Sequence, residues 1–567
     1  MKPWLQTGEG SVDGASPVAL ERGRRRALVV AVALTGLAFV QQAAYALGLV
    51  HGSPISTLQG SPLPLLLIAA PALALAARGV TPPARLRQAV AVLGRVPLWL
   101  GLLAVLSGTV ALWAALQGAL PYLGHDEAVY ATQARSWAGG APASGWAPYR
   151  PFGLPVLGWM ALSFQSDVGA LRLVGLGLAL ISLAIAYAVA ARLTTPRRAV
   201  VAIAVFVSGW AFLKRLPEFL NDVAAAGLLL LVAYLIVRSR QRAGSYDLAV
   251  ASAVAVVVFY LRYGAISGLV ALAVAALLTW GPRVWIRSWR EVAIAAGVFA
   301  GGLLPHLLYS ERAAGSPLAA MLSAGDVAGG EYVGEGLVYY ALAFPFRLAG
   351  DLGGVVMTAG LIAAAVSALR IRRGELEGRG DRVRVFFGLT AVLHVVVLGL
   401  TAHGEERYVF FPVLLLIILG VDAIAEFAGA SSRVVLAALT SFAVVAAAAN
   451  YGVVRDGHVA DVTAERTSLV QVGDLLARQS SASRTCVVAT AYQPQLGWYS
   501  GCATIGLTQV AGTRPVAGQL IYVVLFDEGR GQRSERGLSR FMAGRVAGSQ
   551  VLDTRGSLGA ARVITLR

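Results

Sequence analysis

Apolar runs long enough to cross a bilayer recur along this chain, at 27–50, 62–77, 97–120 and onward past residue 430, separated by short arginine-rich loops. A hydrocarbon core about 30 Å thick needs about 20 apolar residues in helical form, and a backbone placed there must satisfy its own hydrogen bonds. No alternating barrel pattern occurs, so a bundle of helices is the architecture that meets both conditions. A composition of 57% hydrophobic and 14% charged residues fits that reading.

The net charge of +17 would point to nucleic acid in a soluble protein. Here the basic residues cluster in short loops between apolar runs, the mark of cytoplasmic loops, and so they set a topology rather than a phosphate-binding surface. Nearly all are arginine, with Lys2 and Lys214 the only lysines, a bias expected of a GC-rich bacterial genome. Arg22, Arg24, Arg25 and Arg26 place residues 1–26 in the cytoplasm. No small-residue cleavage site follows, so 27–50 reads as an uncleaved first span. The spans then alternate through Arg-rich inner loops at 78–95, 192–198, 238–242, 283–290 and 372–384.

The stretch 248–280 reads either as two short spans turning outside at Leu261-Arg262-Tyr263-Gly264 or as one tilted helix. With two, the total is about 13 spans over 27–454, and the C-terminus lies outside. Two long outer loops follow from this topology, at 121–167 and 309–350. Within the first, the amphipathic stretch 127–137 is expected to lie along the membrane surface.

From about residue 455 to 567 the composition changes. A helix at 464–479 precedes strand-like runs at 485–490, 519–526 and 561–566, which predict a small extracytoplasmic α/β domain. The only cysteines, Cys486 and Cys502, both fall in it. They are either disulfide-bonded, in the oxidising compartment the topology supplies, or two buried thiols.

The polar residues carry the functional information. Charge beside a membrane span is costly and usually serves chemistry or transport. His125, Asp126 and Glu127 follow directly on the span 97–120, and the topology gathers them on the outer face with Arg150, Glu218, Asp222, Arg262, His306, Glu405, Glu406 and Arg407. Carboxylates can take a proton from a hydroxyl or hold a metal ion, and arginines can grip a phosphate. Together they suggest transfer from an anionic lipid-linked donor. No His-Glu-x-x-His, Gly-x-Ser-x-Gly or P-loop motif occurs, which argues against a zinc protease, a serine hydrolase or an ATP-driven pump.

The order of these elements carries a resemblance: Asp126-Glu127 opening the first outer loop, Tyr149-Arg150-Pro151 with Gly153 and Pro155 later in it, the acidic turn at Asp222, and Glu405-Glu406-Arg407-Tyr408 before Phe410-Phe411-Pro412. Over about residues 97–430 the chain resembles the GT-C glycosyltransferases, integral membrane enzymes that use polyprenyl-phosphate sugars. The likeness is to the branch with the protein O-mannosyltransferases and the aminoarabinose transferases of lipid A. The resemblance implies an inverting transfer on the outer face of a bacterial cytoplasmic membrane, to a hydroxyl of an envelope glycan, lipid or protein. It assigns the general base to Asp126, with Glu127 second. Arg407 and Arg262 become candidates for the donor phosphate. Asp222, Glu405, Glu406, Arg150, Tyr408 and His125 become candidates for substrate contacts. Asp126 and Asp222 are candidate ligands for a divalent cation. The alternative is a transporter or flippase of a lipid-linked saccharide, which predicts charges at the bilayer midplane and internal repeats.

Overall fold

The computed structural model describes the chain from Pro97 onward, together with Val29, Ala33 and Gln88, and apart from residues 141, 243–244, 344–345, 376–378, 481–484, 513–518, 532–541, 543–544 and 567. Apart from Val29 and Ala33, the spans expected at 27–50 and 62–77, and the tail 1–26, lie outside the described residues. What is described is a helical bundle capped at one end by a small mixed sheet.

Among the described residues seven helices are long and apolar enough to cross a membrane, and shorter apolar helices occupy Gly153–Leu162, Asp247–Leu261, Ala265–Trp280 and Ala319–Ala328. From the third onward, each expected span falls on one helix or on two in line. The helix Phe410–Ala428 is the centre of the bundle, with every residue from Phe410 to Asp422 buried. Its sequence is apolar on all sides, as a helix surrounded by other helices requires.

Two expectations about local structure are corrected. The stretch 309–350 is not an extended loop: the helix Trp289–Ala314 runs into its start, and the helices Ala319–Ala328 and Glu335–Ala343 fill most of the rest. The amphipathic stretch 127–137 forms the helix His125–Trp137, but Glu127 through Ala134 are all buried. It packs against Gly153–Leu162 on one side and against the C-terminal helix Gln493–Ser500 on the other, so protein covers the apolar face that was expected to meet lipid. At 248–280 the two-segment alternative is the one adopted. Arg262 is extended between Asp247–Leu261 and Ala265–Trp280, where the Asn221 side-chain amide donates to the Leu261 carbonyl.

The C-terminal region starts with the helix Ala460–Ser480 and continues as a five-stranded sheet: β1 (Thr485–Ala489), β2 (Ala503–Ile505), β3 (Gln519–Phe526), β4 (Val546–Asp553) and β5 (Ala560–Leu566), in the order β2-β1-β3-β5-β4. β1 runs parallel to β2 and β3, while β5 is antiparallel to β3 and β4. Leu469, Val472 and Leu476 of the leading helix pack on Val488, Tyr522 and Val524 of the sheet. Cys486 and Cys502 are bonded, tying β1 to the residue before β2 across a sequence separation of 16. The strands β2 and β4 were not foreseen. β2 has three residues, and β4 is an edge strand exposed along most of its length with an irregular register at Val546/Gly548, so neither carries an apolar alternation.

Candidate active site

The acidic segment after the first described helix forms the opening turn of His125–Trp137, and its two carboxylates diverge because successive helical residues point about 100° apart. Glu127 turns inward. Its oxygens accept hydrogen bonds from the amides of Gly124 (2.8 Å) and Phe219 (2.8 Å), and Arg172 Nε lies 3.1 Å away. Arg172 is fully buried and also donates to the carbonyls of Leu120 and Tyr122, which follow the end of the preceding helix. Glu127 is 1% exposed, and backbone amides and arginine engage both of its oxygens, an arrangement that anchors this turn to the interior.

Asp126 turns the other way, with a quarter of its side chain exposed. Oδ1 accepts from Arg150 Nη1 at 3.1 Å and Oδ2 from Arg407 Nη2 at 2.7 Å. Burial pushes this carboxyl up, but Arg407 and Arg150 outweigh it and hold Asp126 well below the usual carboxylate range.

Arg407 extends the array. It sits in the 3-10 turn Glu406–Val409 that leads into the buried helix Phe410–Ala428, so its backbone is fixed by the best-packed element of the bundle. Its Nη2 also lies 2.9 Å from Glu405; Arg215 meets Glu405 at 2.5 Å and Glu218 at 3.0 Å. Arg262 pairs with Asp222 at the first turn of Asp222–Ser239. The guanidiniums of Arg262 and Arg407 lie 4.7 and 5.6 Å from the centre of the Tyr408 ring, and Arg150 lies 5.6 Å from that of Tyr130. Three arginines thus converge with Asp126 and Asp222, each steadied by an aromatic face.

Three buried polar atoms in this cluster have no hydrogen-bond partner: Nε of Arg150, Nε of Arg407 and Oδ2 of Asp222. Buried polar groups are normally satisfied, so unspent donors and an acceptor in one place suit a ligand with anionic and hydroxyl groups.

The other expected site residues fall around this centre. His125 lies beside Asp126 and near Gln495 and Glu465 of the C-terminal region, and the protein packed around its ring lowers its pKa by desolvation. Glu406 is buried and lies 3.9 Å from Lys214. His306 is buried against Tyr263, whose hydroxyl is 3.2 Å from its Nδ1, within an aromatic cluster with Phe259 and Tyr260. Guanidiniums stand against the Asp126 carboxylate and against Oδ1 of Asp222. Among the described residues no group of three or more His, Cys, Asp or Glu is placed to hold a metal.

Sequence reasoning overlooked Arg172, Arg215 and Arg466. Arg172 had a signal, a charge inside the apolar stretch 168–193. Arg466 had none, since its partners come from segments more than two hundred residues away.

This array of carboxylates and arginines lies in a bundle of membrane-length helices with a small mixed sheet at one end, and the chain has a GT-C-like fold shared with solved structures. Among the solved structures it resembles are two of ArnT from Cupriavidus metallidurans. With the form bound to undecaprenyl phosphate the TM-score is 0.60 at 13% identity, covering 82% of this chain and 97% of that one. With the apo form it is 0.59 at 12% identity, over 82% and 97%. No protein-family model matches the chain, and no curated protein matches it in sequence.

Proposed function

We propose that this protein is an inverting GT-C glycosyltransferase that moves a sugar from a polyprenyl-phosphate donor to a hydroxyl of an envelope glycan, lipid or protein. The observation that carries the reading is the Asp126 carboxylate held between Arg150 and Arg407, both of which keep an unspent Nε, at the end of a membrane bundle. The ArnT structure bound to undecaprenyl phosphate gives a protein of this fold the matching class of ligand. In this reading residues 27–454 are the catalytic membrane domain and 455–567 an outer α/β domain. The site faces the extracytoplasmic side of a bacterial cytoplasmic membrane, with the N-terminus inside.

The acceptor oxygen attacks the anomeric carbon from the side opposite the phosphate and inverts it. The bond from that carbon to the phosphate oxygen breaks, and the acceptor proton passes to Asp126. Polyprenyl phosphate leaves with the electron pair, its developing charge met by Arg407 and Arg262. Arg150 and Arg407 make the resting carboxylate a poor base. A donor phosphate that draws their guanidiniums away restores its basicity, so the base becomes competent when donor is bound. In this reading Asp222 Oδ2, Glu405, Tyr408 and His125 contact the sugar or the acceptor, and no step requires a metal.

A transporter would concentrate charge near the bilayer midplane, whereas these residues sit at helix ends. The test incubates purified protein with a panel of polyprenyl-phosphate sugars and acceptors and measures release of polyprenyl phosphate. Release that depends on Asp126 supports transfer, and a protein that moves lipid-linked saccharide across vesicles without releasing any overturns it.

A further inference from the structure

The C-terminal region does more than cover the site. Its first helix, Ala460–Ser480, points Arg466 down into the bundle, where the side chain is almost fully buried. Arg466 Nη1 donates to the Tyr122 carbonyl at 2.8 Å and lies 3.6 Å from Glu127, while Nη2 lies 3.7 Å from Glu218. These contacts complete a circuit of alternating charge. From Asp126 it runs to Arg407, Glu405, Arg215 and Glu218, then through Arg466 to Glu127, the residue next to Asp126 in the chain.

The segment leading into the Asp126 helix is tied to the same region by independent bonds. Thr463 donates to the Ala119 carbonyl (3.2 Å), and the Leu123 amide donates to the Tyr499 hydroxyl (2.9 Å). Further along, Arg135 donates to the carbonyls of Trp498 (2.8 Å) and Gly497 (2.9 Å) and stacks on the Trp498 ring at 4.3 Å. Gly124 makes the close approach possible, because a Cβ there would run into the Arg466 guanidinium.

We propose that Arg466 is a positioning residue for the transfer reaction: it joins the carboxylate that anchors the Asp126 helix to the carboxylate that anchors Arg215, and so makes docking of the C-terminal region a condition for correct placement of Asp126 against Arg407. The inference rests on the reading of Asp126 as the base. It assigns the C-terminal region a role in turnover and not in donor capture, since the contacts of Arg466 are with Tyr122, Glu127 and Glu218 and not with Arg407 or Arg262, the two arginines assigned to the donor phosphate. Displacements of about 1 Å at a reacting group cost on the order of a hundredfold in rate, so a loosened ring shows chiefly in kcat.

The full-length protein is compared with Gly124→Ala, which crowds the guanidinium without removing its charge, with Arg466→Lys, which keeps the charge but spans only one carboxylate, and with Arg466→Met. Two measurements are made: kcat and KM for donor per undecaprenyl-phosphate-binding site, and amide hydrogen exchange across 122–134. Gly124→Ala and Arg466→Met are expected to lower kcat about tenfold or more, leave donor KM and undecaprenyl phosphate affinity within about threefold, and speed exchange at 122–134 but not in Val168–Leu193. Arg466→Lys is expected to recover part of both losses. Unchanged exchange and kcat in Gly124→Ala and Arg466→Lys overturn the proposal. If Arg466→Met does not fold, those two charge-retaining variants decide the matter. If the wild type releases no sugar from any donor, the transfer reading fails by itself, while the exchange measurement still reports whether the ring holds the helix.

Discussion

Replacing Asp126 by asparagine should move turnover and donor-phosphate affinity in opposite directions. The carboxylate is the proposed proton acceptor, and losing a positioned general base costs about 10²–10⁴ in rate, or about 3–5 kcal/mol of barrier. The same carboxylate occupies Arg150 at 3.1 Å and Arg407 at 2.7 Å in the resting protein. A donor phosphate competes with it for those guanidiniums and is repelled by its charge. The pair is a quarter exposed on the Asp126 side, so its competing strength is discounted for solvent to about 0.5–1.5 kcal/mol. Undecaprenyl phosphate should therefore bind Asp126→Asn about two- to tenfold more tightly than wild type. Arg407 keeps Glu405 at 2.9 Å in the variant, so the fold is expected to survive. Single-turnover sugar transfer and equilibrium binding of undecaprenyl phosphate, measured on one preparation, check both arms. Turnover within about tenfold of wild type, or weakened phosphate binding in a folded variant, refutes the reasoning.

Three other outcomes follow from the same geometry. Asp126 is held below the usual carboxylate range, so it stays ionised as pH falls, and its contribution to stability is lost only when pH drops through that lowered value. Measured in a His125→Asn background to remove the neighbouring imidazole, kcat/KM should show no acid limb between about pH 7 and pH 5; a fall near pH 5 contradicts the pairing. At the opposite end of the bundle Asp422 is shared by Arg198 (2.5 Å) and Arg384 (3.0 Å), with Glu426 2.5 Å from Arg384. Asp422→Ala removes the carboxylate that Arg198 and Arg384 share, while Arg384 keeps Glu426, and should cost about 1–3 kcal/mol, read as a lowered midpoint of unfolding in detergent. Replacing Cys486 and Cys502 by serine opens a loop of sequence separation 16 and should cost about 3 kcal/mol, read as faster proteolysis of the C-terminal sheet.

Most of the bundle was legible from residue order because lipid allows few alternatives: a run of about 20 apolar residues has little choice but to be a helix. The exceptions are instructive. The stretch 309–350 carries Glu, Asp and Gly and reads as loop, yet it is mostly helical, because neighbours bury part of each short helix, including Ala320 and Tyr340, and override weak local preference. The amphipathic face of 127–137 was legible, but its partner was not. An apolar stripe says that something covers it, and whether lipid or the helix Gln493–Ser500 does so depends on where a distant segment folds back.

The divide at the site has the same cause. Sequence alone selected Asp126, Arg150, Asp222, Arg262, Glu405 and Arg407, since charged residues at the ends of apolar spans stand out against their surroundings. The resemblance ranked Asp126 ahead of Glu127, but two adjacent carboxylates of the same chemistry carry no local sign of which way each one faces. The turn of one helix decided that: Glu127 faces Arg172 and the backbone amides of the interior, while Asp126 faces Arg150 and Arg407. Nor did sequence alone find Arg466, whose surroundings in the chain are those of an ordinary polar helix. Membrane cost is a local property, paid residue by residue and therefore written in the sequence. Charge pairing spans more than three hundred residues between Glu127 and Arg466, and only the packed structure brings those two together.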